Sequence, residues 1–146
     1  MYCVVELGDG RLASCSRDGS VRVWDVGTGE CMQTLEGHEG SVSCAVELGD
    51  GRLASCSMDG SVRVWDVSTG ECVQTLEGHE TAVPCVVELG DGRLASCSFD
   101  VRVWDVGTGE CVQTLEGHED CVNCVVELGD GRLASCSDDG SVRVWG

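Results

Sequence analysis

Serine, aspartate and histidine recur together along this 146-residue chain. Those residue types are the ingredients of nucleophilic catalysis, in which a histidine activates a hydroxyl and a carboxylate orients the ring. Ser55, Asp59 and either His38 or His79 would make one such set. The set returns in register along the chain, however, whereas a hydrolase works through one exposed nucleophile beside an oxyanion hole. Repetition points instead to polar groups that satisfy one another in buried positions, where each unpaired group would cost about 1–3 kcal/mol.

The twelve cysteines invite a second chemistry, disulfide or metal. Eleven of them sit at repeated positions: Cys3, Cys44, Cys85 and Cys124; Cys15, Cys56, Cys97 and Cys136; Cys31, Cys72 and Cys111. At such positions a free thiol packs as a small hydrophobe. Equivalent cysteines in stacked sheets would lie roughly 10 Å apart, beyond the ~7 Å Cα limit for a bridge. Within one unit, a three-residue loop would set Cys3 opposite Cys15 and a four-residue loop would not, so that pairing stays open. Buried thiols in this number fit a reducing compartment, which places the chain in the cytoplasm. Cys121 stands apart, since Ser41 and Ala82 hold its place in other units. With Cys124 it forms Cys-Val-Asn-Cys, half of a metal or redox site, but no second pair lies at zinc-finger spacing. The Asp138-Asp139-Gly140 and Gly-Asp-Gly turns lack the alternating oxygen ligands and closing glutamate of a calcium loop. The expectation is no metal and no cofactor.

What would position these groups is a near-verbatim repeat. The segment opening at Cys3 returns at Cys44, Cys85 and Cys124, giving units 3–43, 44–84, 85–123 and 124–146 with periods of 41, 41 and 39 residues. Within each unit short runs of alternating apolar residues are broken by Gly-Asp-Gly, Asp-Gly-Ser and Gly-Thr-Gly, the pattern of strands and hairpins. The second unit predicts strands a to d near 42–48, 52–57, 62–66 and 71–76. One four-stranded sheet cannot bury both its faces, so the units must stack on one another.

Gly37-His38, Gly78-His79 and Gly117-His118, with Trp24-Asp25, Trp65-Asp66, Trp104-Asp105 and Trp145-Gly146, recur at this period. On these dipeptides the chain resembles the WD-repeat β-propellers over residues 3–146. The resemblance implies an all-β propeller of four-stranded antiparallel blades, about four per chain, the last lacking its outer strand. It also implies a structural tetrad in each blade: His38, Ser55, Asp59 and Trp65; His79, Ser96, Asp100 and Trp104; His118, Ser135, Asp139 and Trp145. The first unit offers Ser14, Asp18 and Trp24 without a histidine. In the third unit Asp100 runs directly into Val101, without the Gly-Ser of the others. Losing two residues preserves the faces of the following strand, but the b–c turn should be strained or rearranged, which puts the tetrad bond of Asp100 in question.

The formal charge of −17 is spread evenly, at −5 for the unit 44–84. That argues against nucleic acid and anionic membrane, which need clustered Lys or Arg, and favours basic protein or peptide partners. No apolar run approaches the ~20 residues of a membrane helix. Four blades are few for a propeller, and neither end of the chain supplies a closing outer strand. Either two chains join head to tail into an eight-bladed ring that covers the open faces, or the chain is a piece of a longer propeller.

The units also differ where a binding surface would need them to. Between the first two, only seven of 41 positions change, and four of these fall in two loops. The first place is the residue before the tetrad aspartate: Arg17, Met58, Phe99 and Asp138. The second follows Gly-His: Gly40, Ser41 and Ser43; Thr81, Ala82 and Pro84; Asp120, Cys121 and Asn123. Both connections lie at the same end of a blade, so these residues should gather on one face of the disc as a partner-binding surface. The sequence reads as a non-enzymatic protein-interaction scaffold. The alternative is a self-assembling structural unit whose only partner is another copy.

Overall fold

Glycine turns cut the chain into strands. After each first strand a leucine and an arginine close a three-residue loop, as where the Leu7 N–H donates to the Arg11 carbonyl at 2.8 Å and the Gly10 N–H to the Leu7 carbonyl at 2.9 Å. Gly10 takes φ of +88° there, a conformation that costs glycine nothing and an L side chain much. The computed structural model describes residues 3–146. In chain order its strands are β1 (Cys3–Glu6), β2 (Leu12–Cys15), β3 (Val21–Trp24), β4 (Cys31–Leu35), β5 (Val42–Glu47), β6 (Leu53–Ser57), β7 (Val62–Trp65) and β8 (Cys72–Leu76). They continue as β9 (Cys85–Glu88), β10 (Leu94–Cys97), β11 (Val101–Trp104), β12 (Cys111–Leu115), β13 (Val122–Glu127), β14 (Leu133–Ser137) and β15 (Val142–Trp145).

Consecutive strands pair antiparallel into three four-stranded sheets and a last sheet of three, β13-β14-β15. The three-residue loop fixes the register that the sequence left open, with Cys3 opposite Cys15. The third unit keeps the register of its neighbours despite its missing pair. Cys97 faces Val101 and Ser96 faces Arg102, as Cys56 faces Val62 and Ser55 faces Arg63.

Each blade has two different faces, and the core lies in the seams between them. One face carries the tryptophan with Leu53, Ala45 and Val67 in the second blade; the other carries the strand-b cysteine with valines and a leucine. In the first seam Ala13, Cys15, Val21, Val23 and Leu35 of blade one pack on Val42, Ala45, Leu53, Trp65 and Val67 of blade two. The second and third seams repeat it with Cys56, Val62 and Leu76 against Leu94 and Trp104, then Cys97, Val101 and Val103 against Leu133 and Trp145. A fully buried Val or Leu contributes about 1.5–3 kcal/mol, so each seam outweighs any polar contact beside it.

The two outermost faces are uncovered among the described residues. The tryptophan face of blade one exposes Val4 at 59% and Val26 at 61%, and the cysteine face of blade four exposes Val142 at 71% and Val144 at 53%. A polar clasp accompanies every seam: the N–H of Gly8, Gly49 and Gly90 donates to Glu47, Glu88 and Glu127 of the next blade at 2.8, 2.9 and 2.9 Å.

The inner strands of neighbouring blades come within 8 Å of one another, Cα to Cα. The roughly 10 Å spacing of parallel stacked sheets therefore fails near the axis, because blades converge there. All cysteines are free thiols. Cys44 is held at about 7 chiefly by a hydrogen bond from Cys56, which outweighs burial, with Cys3 of the preceding blade adding to it. The buried partner Cys56 is pushed well above the usual thiol range by the same pairing and by burial.

Candidate functional site

The b–c turn of each blade lies beside the connection that leads from one blade into the next, and the tetrads sit beneath this junction. In blade two, the indole N–H of Trp65 donates to Ser55 Oγ at 2.8 Å, and Ser55 Oγ lies 2.7 Å from His38 Nε2. His38 Nδ1 is 3.0 Å from Asp59 Oδ2. The chain of bonds runs one way: Trp N–H to serine, serine O–H to Nε2, and Nδ1–H to the carboxylate. Blade four repeats it through Trp145, Ser135, His118 and Asp139 at 2.9, 2.8 and 3.0 Å. In blade one the Trp24–Ser14 bond of 2.8 Å stands without a histidine.

Ser55–His38–Asp59 has the distances of a catalytic triad, yet its hydroxyl cannot attack anything. Ser55 is fully buried, its proton is committed to the ring and a lone pair is taken by Trp65. Burial holds the His38 ring below the usual imidazole range against the opposing pull of Asp59. Burial alone would raise Asp59, but hydrogen bonds from Ser61, the Glu39 N–H and His38 outweigh it and set the carboxyl at about 2. The network is thus a neutral imidazole beside an ionised carboxylate.

A fifth member escaped the sequence reading. Ser61 Oγ donates to Asp59 Oδ1 at 2.7 Å and stands 3.2 Å from His38 Nδ1; Ser141 does the same in blade four at 2.6 and 3.2 Å. The signal was available, because a serine two residues after the aspartate is present in three units and absent from the third. That absence alters blade three. Ser98 N–H now closes on the Asp100 carbonyl at 2.9 Å, where Ser57 N–H closes on Ser61. The turn is rearranged and not strained in the left-handed sense, since none of its residues has positive φ. His79 keeps Ser96 at 2.7 Å, and Ser96 keeps Trp104 at 2.7 Å. Asp100 Oδ1 is 3.0 Å from His79 Nδ1, but the approach is out of line and Nδ1 makes no hydrogen bond. Asp100 is turned instead to Arg102, whose Nε donates to both its oxygens at 3.3 and 3.2 Å.

The difference has a measurable consequence. His38→Ala should lower stability by about 1–3 kcal/mol, because Ser55 and Asp59 lose a buried partner. His79→Ala should cost less, since Asp100, though 3.0 Å from the ring, is out of line for a hydrogen bond to it. Urea unfolding of both variants checks this, together with hydrolysis of an activated ester. Equal losses would mean that the blade-three network is intact, and lost turnover at unchanged stability would mean catalysis.

The variable residues occupy the same junction. Arg17, Met58, Phe99 and Asp138 are exposed, Met58 at 58% and Phe99 at 55%. The Met58 N–H donates to the Ser41 carbonyl at 2.9 Å and the Asp138 N–H to the Cys121 carbonyl at 2.9 Å. Ser41 Oγ donates to the Arg17 carbonyl at 3.3 Å. Turn and connection therefore form one continuous surface between blades. Gly40, Thr81, Ala82 and Asp120 lie in the connections, Gly40 and Ala82 half-buried and Thr81 and Asp120 exposed. The third variable position lies further in than a loop reading places it. Ser43 and Asn123 stand on β5 and β13, and Pro84 immediately precedes β9. Asn123 reaches back to the turn, donating to Asp138 Oδ1 at 2.7 Å. Cys121 and Cys124 join no cluster of three or more metal-ligating side chains among the described residues.

Radially stacked antiparallel blades joined by d–a connections, with a Trp-Ser-His-Asp relay complete beneath the junctions of blades two and four, define a β-propeller architecture. A family model, WD domain, G-beta repeat, matches residues 2–25, 29–66, 70–105 and 109–146; the chain belongs to the WD40 family. The solved WD40 β-propeller domain of Doa1 superposes with a TM-score of 0.85 at 28% identity, over 93% of this chain and 46% of that one. Nuclear distribution protein PAC1-2 of Uncinocarpus reesii is 63% identical over 27 residues, 18% of this chain and 6% of the relative. Ribosome assembly protein 4 of Chaetomium thermophilum is 56% identical over 36 residues, 25% of this chain and 7% of the relative. The chain spans under a tenth of these curated relatives, each match being shorter than one repeat.

Proposed function

We propose that this chain is a non-enzymatic scaffold that binds proteins or peptides through the face formed by its b–c turns and d–a connections. One observation carries the reading: near-identical units vary chiefly on that face, where Met58 and Phe99 stand exposed beside Arg17 and Asp138. Exposed Met and aromatic side chains supply contact area that recognition patches favour. The even negative charge selects basic partners, and twelve free thiols suit the cytoplasm. No helix among the described residues is long and apolar enough to cross a membrane. The names of the relatives, nuclear distribution and ribosome assembly, rest on less than one repeat and pass no particular partner to this chain.

Replacing Arg17, Met58, Phe99 and Asp138 together with serine tests the reading. Unfolding should stay close to that of the parent, because all four side chains are in solvent, while capture of partners by the immobilised protein falls. A folded variant that retains every partner of the parent overturns it.

A second reading is favoured by the uncovered faces. The tryptophan face of blade one and the cysteine face of blade four are the same two surfaces that meet at each internal seam. A second copy packed head to tail would repeat that seam twice and complete an eight-bladed ring.

A further inference from the structure

The shortened turn of blade three leaves a vacancy with defined chemistry. In blades two and four, Ser61 and Ser141 bring a backbone N–H and a hydroxyl to one oxygen of the tetrad aspartate, at 2.8 and 2.7 Å and at 2.8 and 2.6 Å. The same hydroxyls stand 3.2 Å from the Nδ1 of His38 and of His118. In blade three Asp100 is followed at once by β11, so no serine stands in that place. A cavity of about 180 Å³ lies there, walled by His79, Phe99, Asp100 and Arg102 with the carboxylates of Glu80 and Glu116, well above what one water needs. The His79 side chain is only 1% exposed, and its Nδ1, 3.0 Å from Asp100 Oδ1 but out of line with it, is a buried polar atom without a hydrogen-bond partner.

The occupant must answer two groups at once. Ser96 accepts from Trp104 and gives its own proton to His79 Nε2, so Nδ1 carries a hydrogen and needs an acceptor. Asp100, its carboxylate already serving Arg102, offers an acceptor and needs a donor. An ammonium or guanidinium only donates and leaves Nδ1 unpaired. A carboxylate or phosphate accepts from Nδ1 but meets Asp100, Glu80 and Glu116. A hydroxyl can do both, placed as Ser61 Oγ is in blade two, 3.2 Å from Nδ1 and donating to the aspartate. The exposed carboxylates of Glu80 and Glu116 favour positive charge on either side of it.

We propose that this cavity is a specificity pocket for the serine or threonine hydroxyl of a peptide partner with basic residues flanking it. The pocket rests on the reading of the turn-and-connection face as the recognition surface, and it names what that face takes. Phe99, exposed at its rim, would cover the backbone of the bound segment.

The probe is an end-capped Arg-Gly-Ser-Lys peptide titrated into the full chain, with the ring nitrogens of the three histidines followed by ¹⁵N NMR. A saturable shift of His79 Nδ1 is expected, with His38 and His118 unmoved as internal references. The Arg-Gly-Ala-Lys and phosphoserine versions should bind about ten-fold more weakly or less, the size of effect that loss of a buried hydrogen bond produces. Two variants fix the location. Insertion of Gly-Ser between Asp100 and Val101 fills the pocket with the chain's own serine and should abolish the shift while raising stability. Glu80→Lys with Glu116→Lys leaves the turn alone and should weaken binding through charge. An alanine peptide that shifts His79 equally, a shift that survives the insertion, or no shift at millimolar peptide overturns the pocket. Partner capture that depends on Met58 and Arg17 but survives the insertion sinks the pocket and leaves the scaffold reading standing.

Discussion

Trp65→Ala should destabilise the protein by about 3–5 kcal/mol, the largest loss expected from any single side chain. Trp65 is fully buried in the first seam and is the indole that holds Ser55 at 2.8 Å. Its removal opens a large cavity between two blades and leaves a buried hydroxyl short of a donor, so the packing and polar losses coincide. Trp24→Ala should cost less in an isolated chain, because Trp24 stands on the uncovered face of blade one and is only half-buried. Urea midpoints of the two variants beside the parent decide the matter. Equal losses would mean that the first blade's tryptophan is as covered as the second's, and therefore that something packs on it in solution.

Val144→Glu should convert a head-to-tail dimer into monomers, weakening association roughly a hundred-fold or more, since an unpaired carboxylate in an apolar seam costs several kcal/mol. Val144 lies on β15, 53% exposed, on the face that would meet blade one of a second copy. The internal seams supply the template. Val103 occupies its place in the third, and a glutamate of the following blade clasps a glycine N–H at the a–b turn in all three. Across a junction of two chains, Glu6 of one copy would take the N–H of Gly129 of the other. Sedimentation velocity reads the mass, and alkylation provides an independent check. Cys124 and Cys136 are exposed in the single chain, so a dimer should protect them and Val144→Glu should release them. A parent protein that sediments as a folded monomer at tens of micromolar removes the ring.

The fold was legible because its punctuation is local. Gly-Asp-Gly and Asp-Gly-Ser mark turns by their backbone requirements alone, and the strands of the second unit fall within a residue or two of where the alternation places them. The register across Cys3 and Cys15 was undetermined until the loop closed with three residues, since one residue more would have turned every side chain over. In the candidate site, the types of residue were readable but their directions were not. The missing Gly-Ser put the Asp100 bond in question, but nothing in the order of residues says that the carboxylate takes Arg102 as its hydrogen-bond donor while staying 3.0 Å from His79, a choice made by the angle of a shortened turn. The clasp from Glu47 to Gly8 was hidden for another reason: it joins residues 39 positions apart whose proximity only the stacking of blades creates.

The sameness of the three seams has a consequence for how the chain reaches its native state. Any cysteine face fits any tryptophan face, so a blade that docks on the wrong neighbour meets no clash to reject it. Sequence identity between adjoining repeats is the condition under which tandem units exchange partners, within a chain or between two. Two features oppose that outcome. The connections between blades are short, so the next unit in sequence meets its partner first, at a high local concentration. The −17 charge, shared across all units, keeps separate chains apart while they are still open. Correct order thus depends on the tether and on mutual repulsion, and the residues that vary least contribute nothing to it.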